Sequence, residues 1–357
     1  MPEPIAPTDT PASSTTPGDG EAPRVSLYEA STQHQHWRYS RRTLDAERTN
    51  LNAAAVEAIR QAFEIEDPGS SSSIEFLTPE EELLLVKLYI SKIGQLCAHF
   101  RMPEAVEATA CTYLRRFYLR NTVMDWHPKS VMLTAIFLAS KTTNNPIPID
   151  TYASRIPKTT REDVLDLEFL VAQSLGFEFV VWHPYRALWG IYLDIQTLPD
   201  LQNAFNDIHA AYMAAIATVR QARLTDVELL YTPSQIALAC WHLAAPGLAE
   251  QWARAKFEEA VIPLLGEIKD AIAREGGVPD VERVRDIDKR LKICKNPEKV
   301  EGTKAYARKQ AAEEAALEEK REKKLADARR NQPKDPFGSE LIDMSKAKAK
   351  ELDEDDY

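Results

Sequence analysis

Two stretches, one opening at Pro128 and one at Pro233, are apolar almost all the way round a helical wheel. A helix with no polar face is stable only when other helices wrap it. Aligned at an offset of 105 residues, the two match Val131 with Ile236, Leu133 with Leu238, Ala135 with Cys240, Ile136 with Trp241, Leu138 with Leu243 and Ala139 with Ala244. Each also starts on a proline, which favours the first helical position. The pattern predicts two similar helical modules, each built around a buried third helix.

The remaining helix boundaries are written in capping chemistry. Thr78-Pro79-Glu80-Glu81 and Thr232-Pro233-Ser234-Gln235 both set a hydroxyl at the cap, proline next and Glu or Gln three residues after the cap. Pro103, Pro128 and Pro184 open further segments, while Gly176 and Gly276 act as stops. Five helices follow, near 79–100, 103–121, 128–142, 149–155 and 160–175, and then five more, near 184–195, 200–223, 232–245, 248–256 and 257–274. Only 12 glycines occur and no alternating β-branched run is present, so the fold class is all-α.

Outside the modules the chain changes character. Residues 1–26, with six prolines before residue 24, read as a disordered arm. Residues 27–77 hold one helix near 44–63, then Asp67-Pro68-Gly69 and a serine loop. The modules occupy 78–180 and 181–277, a C-terminal helix 278–296, and a charged helix-prone segment with the acidic tail LDEDDY 297–357. The stretch to Arg330 has high helix propensity and a Glu319–Lys323 pair but no continuous apolar seam, so it is a solvated helix or one awaiting a partner.

Charge and chemistry narrow the function. Residues 280–357 carry 20 basic and 20 acidic side chains, so the whole net charge of −11 lies in residues 1–279. A body this acidic argues against direct nucleic-acid binding and for a basic partner. No apolar run reaches the roughly 20 residues of a membrane span, and Cys97, Cys111, Cys240 and Cys294 lie too far apart for a zinc ribbon. They read as buried thiols of a soluble intracellular protein. His127 and His183 each stand in a Trp-His-Pro and read as helix starts with an aromatic packed before them. No nucleophile elbow, phosphate loop or metal motif occurs. Catalysis has no visible seat, and no cofactor is expected.

One charge is out of place. With Val164 at zero and about 100° per residue, Leu167, Val171 and Leu175 cluster on one side of helix 160–175, and Glu168 falls among them near 40°. A carboxylate there must be paired or face an interface. Its candidate partner is Lys141, at the end of the apolar helix, where the helix dipole alone already favours a cation. The position matching Lys141 in the second module is Pro246, so the architecture does not require a lysine there.

At these residues the chain resembles a cyclin. RRFYLRNTVMDWHPKSVMLTAIFLASKT, followed after 24 residues by LEFLVAQSLGFEF, is similar to the first cyclin box, and residues 78–275 carry the likeness. The resemblance implies that Lys141 and Glu168 together grip the backbone of a partner kinase near its mobile regulatory helix. It places apolar kinase contacts at Ala172, Phe177 and Phe179. Within the cyclins, STQHQHWRYS, RRFYLRNTVMDWHP, WHPYRALWGIYLDI and LTDVELLYTPSQIALA resemble the cyclin H family. That family supplies the regulatory subunit of the CDK-activating kinase of general transcription factor IIH.

The implied partners are a cyclin-dependent kinase catalytic subunit, a RING-finger assembly subunit and, indirectly, core transcription factor IIH. The implied location is the nucleus. Two departures stand out. Thr142, Thr143, Asn144 and Asn145 replace the acidic residues that often follow the box lysine. EEELLLVKLYISKIG lacks the Met-Arg-Ala-Ile-Leu pattern with which cell-cycle cyclins dock substrates. The alternatives are a transcriptional cyclin with a different kinase, and a nucleic-acid-binding protein like transcription factor IIB, for which a basic face and a zinc ribbon are missing.

Overall fold

The computed structural model describes residues 26–201, 204–256 and 261–330. Every regular element among them is helical. Two N-terminal helices, α1 (Thr32–His36) and α2 (Arg41–Glu66), lead through a short 3-10 turn at Ser70–Ser73 into the first module. That module contains α3 (Pro79–His99), α4 (Glu104–Phe117), α5 (Pro128–Thr142), α6 (Ile149–Ser154), α7 (Glu162–Leu165) and α8 (Glu168–Ser174). The second contains α9 (Pro184–Ile195), α10 (Phe205–Ala222), α11 (Val227–Leu230), α12 (Pro233–Ala244), α13 (Pro246–Ala255) and α14 (Val261–Glu275). Helices α15 (Val281–Cys294) and α16 (Lys304–Arg330) follow. The expected arm and acidic tail lie outside the described residues, apart from Ser26.

The two apolar helices are the hubs. From Val131 to Ser140 every residue of α5 is buried, and α3, α4, α7 and α8 pack around it. In the second module α12 is buried from Ile236 to Trp241 and is wrapped by α9, α10, α13 and α14. Both threonine capping boxes form: Thr78 accepts from the Glu81 N–H, Thr232 accepts from the Gln235 N–H, and each N3 side chain answers the cap N–H. The four cysteines are buried free thiols, and burial pushes those of Cys97, Cys111 and Cys240 up to about 12.

Several boundaries differ from expectation, each for a local reason. The expected helix 160–175 is two helices. Leu167 leaves ideal helical geometry (φ −90°, ψ −10°), and the Val164 carbonyl accepts the Thr134 hydroxyl (3.1 Å). The expected helix 103–121 stops at Phe117, whose carbonyl accepts from the Asn121 amide (3.0 Å), while the Tyr118 hydroxyl donates to the Trp126 carbonyl (2.6 Å). The N-terminal helix is longer than its apolar pattern because Ser40 caps it through the Thr43 N–H. Helices α1 and α11 carry too few periodic residues for a pattern to show.

The flanking helices bind to the modules unequally. Val284, Ile287, Leu291 and Cys294 of α15 join the core of the first module, not the second. His127 meets Asp288 (2.9 Å) at this contact, and its other ring nitrogen caps α5 by accepting from the Lys129 N–H. Arg290 of the same helix pairs with Glu81 and with Glu75 (2.7 Å). By contrast, α16 is held only near its start. Ala305 is buried, the Ala305 N–H and the Lys304 ammonium donate to Glu66, and Lys309 pairs with Glu298 (2.6 Å). From Gln310 to Asp327 every residue is exposed.

Candidate functional site

The end of α5 and the start of α8 make the first half of the site. Lys141 lies over the Phe137 ring, 4.7 Å from its centroid, and its ammonium pairs with the Glu168 carboxylate. The side chains are 40% and 21% exposed, so the pair lies at the surface with its outer face open. The break at Leu167 explains the position: Glu168 begins a new helix instead of sitting within the apolar face of one continuous helix. The four residues after Lys141 fold back on their own helix end. Thr142 bonds the Tyr113 hydroxyl (2.9 Å), Thr143 donates to the Ala139 carbonyl (2.7 Å), Asn144 turns left-handed (φ 61°), and the Asn145 N–H donates to the Ser140 carbonyl (2.8 Å).

The second half is an apolar edge. Gly176 and Phe177 are both left-handed (φ 61° and 59°), and the Phe177 N–H donates back to the Ala172 carbonyl (2.9 Å), closing α8. Left-handed backbone is routine for glycine but costs a phenylalanine on the order of 1 kcal/mol. Its result is an aromatic ring turned out of the core. Phe169 (69% exposed), Phe177 (54%) and Val180 (69%) lie on this edge. Ring centroids step from Phe169 to Phe177 (6.1 Å), Phe179 (6.4 Å) and Tyr113 (6.2 Å). Thus Lys141, Glu168, Phe177 and Phe179 share one edge of the first module, while Ala172 is buried beneath it. Phe169 and Val180 were not among the expected contacts. The available signal was a large aromatic on the polar side of the wheel.

A third feature escapes sequence reasoning altogether. At the seam between the modules Glu228 accepts from Thr112 (2.8 Å) and Arg115 (2.8 Å), and all three are buried. Arg223 reaches Glu104 (2.6 Å) and Glu107 (3.1 Å), and Arg48 grips Asp226 with two bonds (2.7 and 2.8 Å). Burial alone would raise the Asp226 carboxyl; the Arg48 fork overcomes this and holds it below the ordinary carboxylate range. His183 is buried in the same seam, bonded through Nε2 to Thr109 (2.9 Å). Its burial pulls its pKa down to about 4 against the upward pull of Glu228. These ions come from α2, α4, α11 and the turns beside them, so no single stretch of sequence displays the network.

Among the described residues no group of three or more His, Cys, Asp or Glu is placed to hold a metal ion, and no helix is long and apolar enough to cross a membrane. The ionic groups named in the seam are each engaged with a neighbour.

Comparison with known proteins gives the family. Residues 78–180 match the cyclin N-terminal domain and residues 183–287 a cyclin C-terminal domain. The chain is 30% identical to cyclin mcs2 of Schizosaccharomyces pombe, over 86% of this chain and 97% of that one. It is 35% identical to cyclin CCL1 of Saccharomyces cerevisiae, over 65% and 61%. With cyclin-H of Xenopus laevis it shares 32% identity over 59% and 66%. Among solved structures, the CAK complex of Chaetomium thermophilum bound to ATP-gamma-S contains a chain that superposes with a TM-score of 0.71 at 30% identity, covering 81% of this chain and 94% of that one. A chain of yeast TFIIK (Kin28/Ccl1/Tfb3) superposes with a TM-score of 0.56 at 32% identity, over 69% and 100%. Two helical modules built on buried hubs, closed by flanking helices and matched along their length by these relatives, make this chain a member of the cyclin family, in its cyclin-H branch.

Proposed function

We propose that the chain is the regulatory subunit of a CDK-activating kinase, binding and activating a cyclin-dependent kinase that phosphorylates other such kinases and the C-terminal domain of RNA polymerase II. The observation that carries this reading is the Lys141–Glu168 pair, set beside an exposed aromatic edge on the module that matches the cyclin N-terminal domain. An ion pair with one open face can offer its remaining donors and acceptors to a partner backbone. Phe169, Phe177 and Phe179 supply the apolar surface that such a contact needs for affinity.

In this reading the chain acts as a protein ligand with different affinity for two kinase conformations. Binding shifts the population toward the regulatory helix turned inward, where the kinase Lys–Glu pair can form. The catalytic groups belong to the kinase. The relatives named with Kin28 and Tfb3 support a three-subunit assembly, in which a RING-finger subunit completes the complex and links it to core transcription factor IIH. A kinase partner that acts on RNA polymerase II works in the nucleus, which supports a nuclear location for this chain. Net acidity of the globular body suits a basic kinase surface, acting mainly on association rate.

The test is quantitative. Lys141→Ala and Glu168→Ala should each weaken the kinase complex by about 2 to 5 kcal/mol, the usual cost of removing one partner from a charged contact desolvated in a complex. Melting of the free protein should move little, because the pair is surface-exposed. Phosphate transfer to a kinase activation loop and to polymerase heptad peptides is measured with kinase alone and with the pair. Normal binding by both variants, together with much earlier melting, would make the pair architectural and sink the assignment.

A further inference from the structure

Residues 176–182 follow α8 as a strap without regular structure, and they carry Phe177, Phe179 and Val180. A strap has no helical ladder to fix it, so its shape depends on what ties it down. Its own backbone is bonded at its start, where the Gly176, Phe177 and Glu178 N–H groups donate to the carbonyls of Gln173 (2.9 Å), Ala172 (2.9 Å) and Leu175 (3.2 Å). The Phe179 carbonyl accepts from the Tyr113 hydroxyl (2.7 Å). Beyond these, side chains of α1 and the residue after it, roughly 140 positions earlier in the chain, hydrogen-bond to the strap at Trp182 and Glu178. Gln33 holds Trp182 at both backbone groups: its Oε1 accepts from the Trp182 N–H (2.7 Å) and its Nε2 donates to the Trp182 carbonyl (3.3 Å). Glu178, which lies between Phe177 and Phe179, accepts from Trp37 Nε1 (2.6 Å) and His36 Nδ1 (2.5 Å).

The anchor of these ties is rigid. Trp37 is 1% exposed, with Arg116 and Arg120 over its ring at 4.8 and 4.9 Å, and it packs with Leu44, Leu119, Leu229 and Leu230. Gln33 is buried as well. We propose that Gln33 and Trp37 are positioning residues for kinase binding: they latch the strap through Trp182 and Glu178 and so hold Phe177 and Phe179 in the register that the kinase meets. They act through the strap and do not themselves touch the kinase. The N-terminal segment thereby becomes a condition for kinase affinity rather than an appendage. Two facts favour a latch over simple packing: both of its donors to Glu178 converge on the one strap side chain that separates the two phenylalanines, and Phe177 is already in a backbone region it does not favour. The inference rests on the proposed kinase-binding edge.

The experiment uses the full chain and its kinase. Trp37→Phe keeps a ring in the core but removes the donor to Glu178. It should weaken kinase binding about tenfold, the effect of losing one hydrogen bond to a charged group, and should speed amide hydrogen exchange at residues 177–182 while exchange in α5 stays unchanged. Glu178→Ala should behave the same way. Glu178→Gln keeps an acceptor for the indole and should bind kinase close to the unmodified protein. If instead the Gln and Ala variants are equally impaired, Glu178 acts by its charge on the kinase and the latch is overturned. Weakened binding with unaltered exchange in the strap overturns it too. Normal binding by Trp37→Phe beside weakened binding by Lys141→Ala rejects the latch and keeps the kinase-binding edge. Normal binding by both rejects the edge and, with it, the latch.

Discussion

The two modules share a centre and differ at the rim. In the first, α5 ends in Lys141, the chain loops through Thr142–Asn145, and a split pair of short helices brings Glu168 to the lysine. In the second, α12 ends at Ala244, Pro246 starts α13 at once, and α14 runs unbroken from Val261 to Glu275. The second rim carries its own cluster: the Trp189 ring lies tilted against Tyr192 (5.1 Å) and edge-on to Tyr212 (5.5 Å), with Phe205 and Met213 exposed on α10. A buried hub helix is constrained on every side by close packing, so two modules keep it alike. A rim residue answers only to solvent or to a partner. The rims differ, one an ion pair beside an aromatic edge and the other an aromatic cluster, and a seam of buried ions lies between the modules.

The largest expected effect comes from cutting that seam. Glu228→Ala removes the acceptor of Arg115 and Thr112 and leaves a buried guanidinium without its carboxylate. Breaking a buried pair this way costs about 3 to 5 kcal/mol. Denaturant titration followed by separate probes in each module should show their transitions draw apart, since the modules lose one of their buried ionic ties. A single transition at the unmodified midpoint would mean that the Arg223 ion pairs and the apolar contacts are enough to unite the modules.

Sequence pattern located the hubs, their proline starts, both capping boxes and the Lys141–Glu168 pair, because each depends on residues within a turn or two or on one long-range match of charge. What it could not locate were features assembled across the chain. Arg48, Arg115, Arg223 and Glu228 look like ordinary solvated charges in their own segments, and only packing between segments far apart in the chain buries them. Gln33 and Trp37 stand in a five-residue helix and just after it, too short a stretch for periodicity to show. The split of α7 from α8 hangs on a hydroxyl from a different helix, that of Thr134.

A smaller effect sharpens the seam through pH. His183 faces Glu228 at 3.9 Å and lies near Arg116, Arg186 and Arg223; burial holds it neutral with a pKa of about 4, against 6.5 for a free imidazole. Below pH 6.5 the unfolded chain takes up a proton that the folded chain refuses. The contribution of His183 to stability is therefore complete above about pH 6.5 and is lost as pH falls toward 4, a total on the order of 3 kcal/mol. The stability loss of the unmodified protein between pH 7 and 4 should exceed that of His183→Asn by this amount. Parallel curves would show that the histidine titrates normally and that the seam admits water.

The smallest effect is expected at the far end of the chain. Helix α16 is about 40 Å long at 1.5 Å per residue, yet its attachments to the rest of the protein stop at Lys309. Beyond that point Leu317 and Leu325 are exposed, and its visible support is the Lys323–Glu319 pair (2.6 Å), a kind of contact that contributes a few tenths of a kcal/mol. Ending the chain after Gln310 should therefore change the unfolding free energy by less than about 0.5 kcal/mol, since surface changes away from packed features rarely do more. The same truncation separates the two rims from this appendage as surfaces for a third subunit. If the three-subunit complex assembles unchanged, the second rim carries the assembly contact, and substitutions at Trp189 and Tyr212 are the ones to weaken it. If assembly fails while stability and kinase binding hold, the projecting helix carries that contact, and its lack of an apolar seam in the free protein marks a helix completed by a partner.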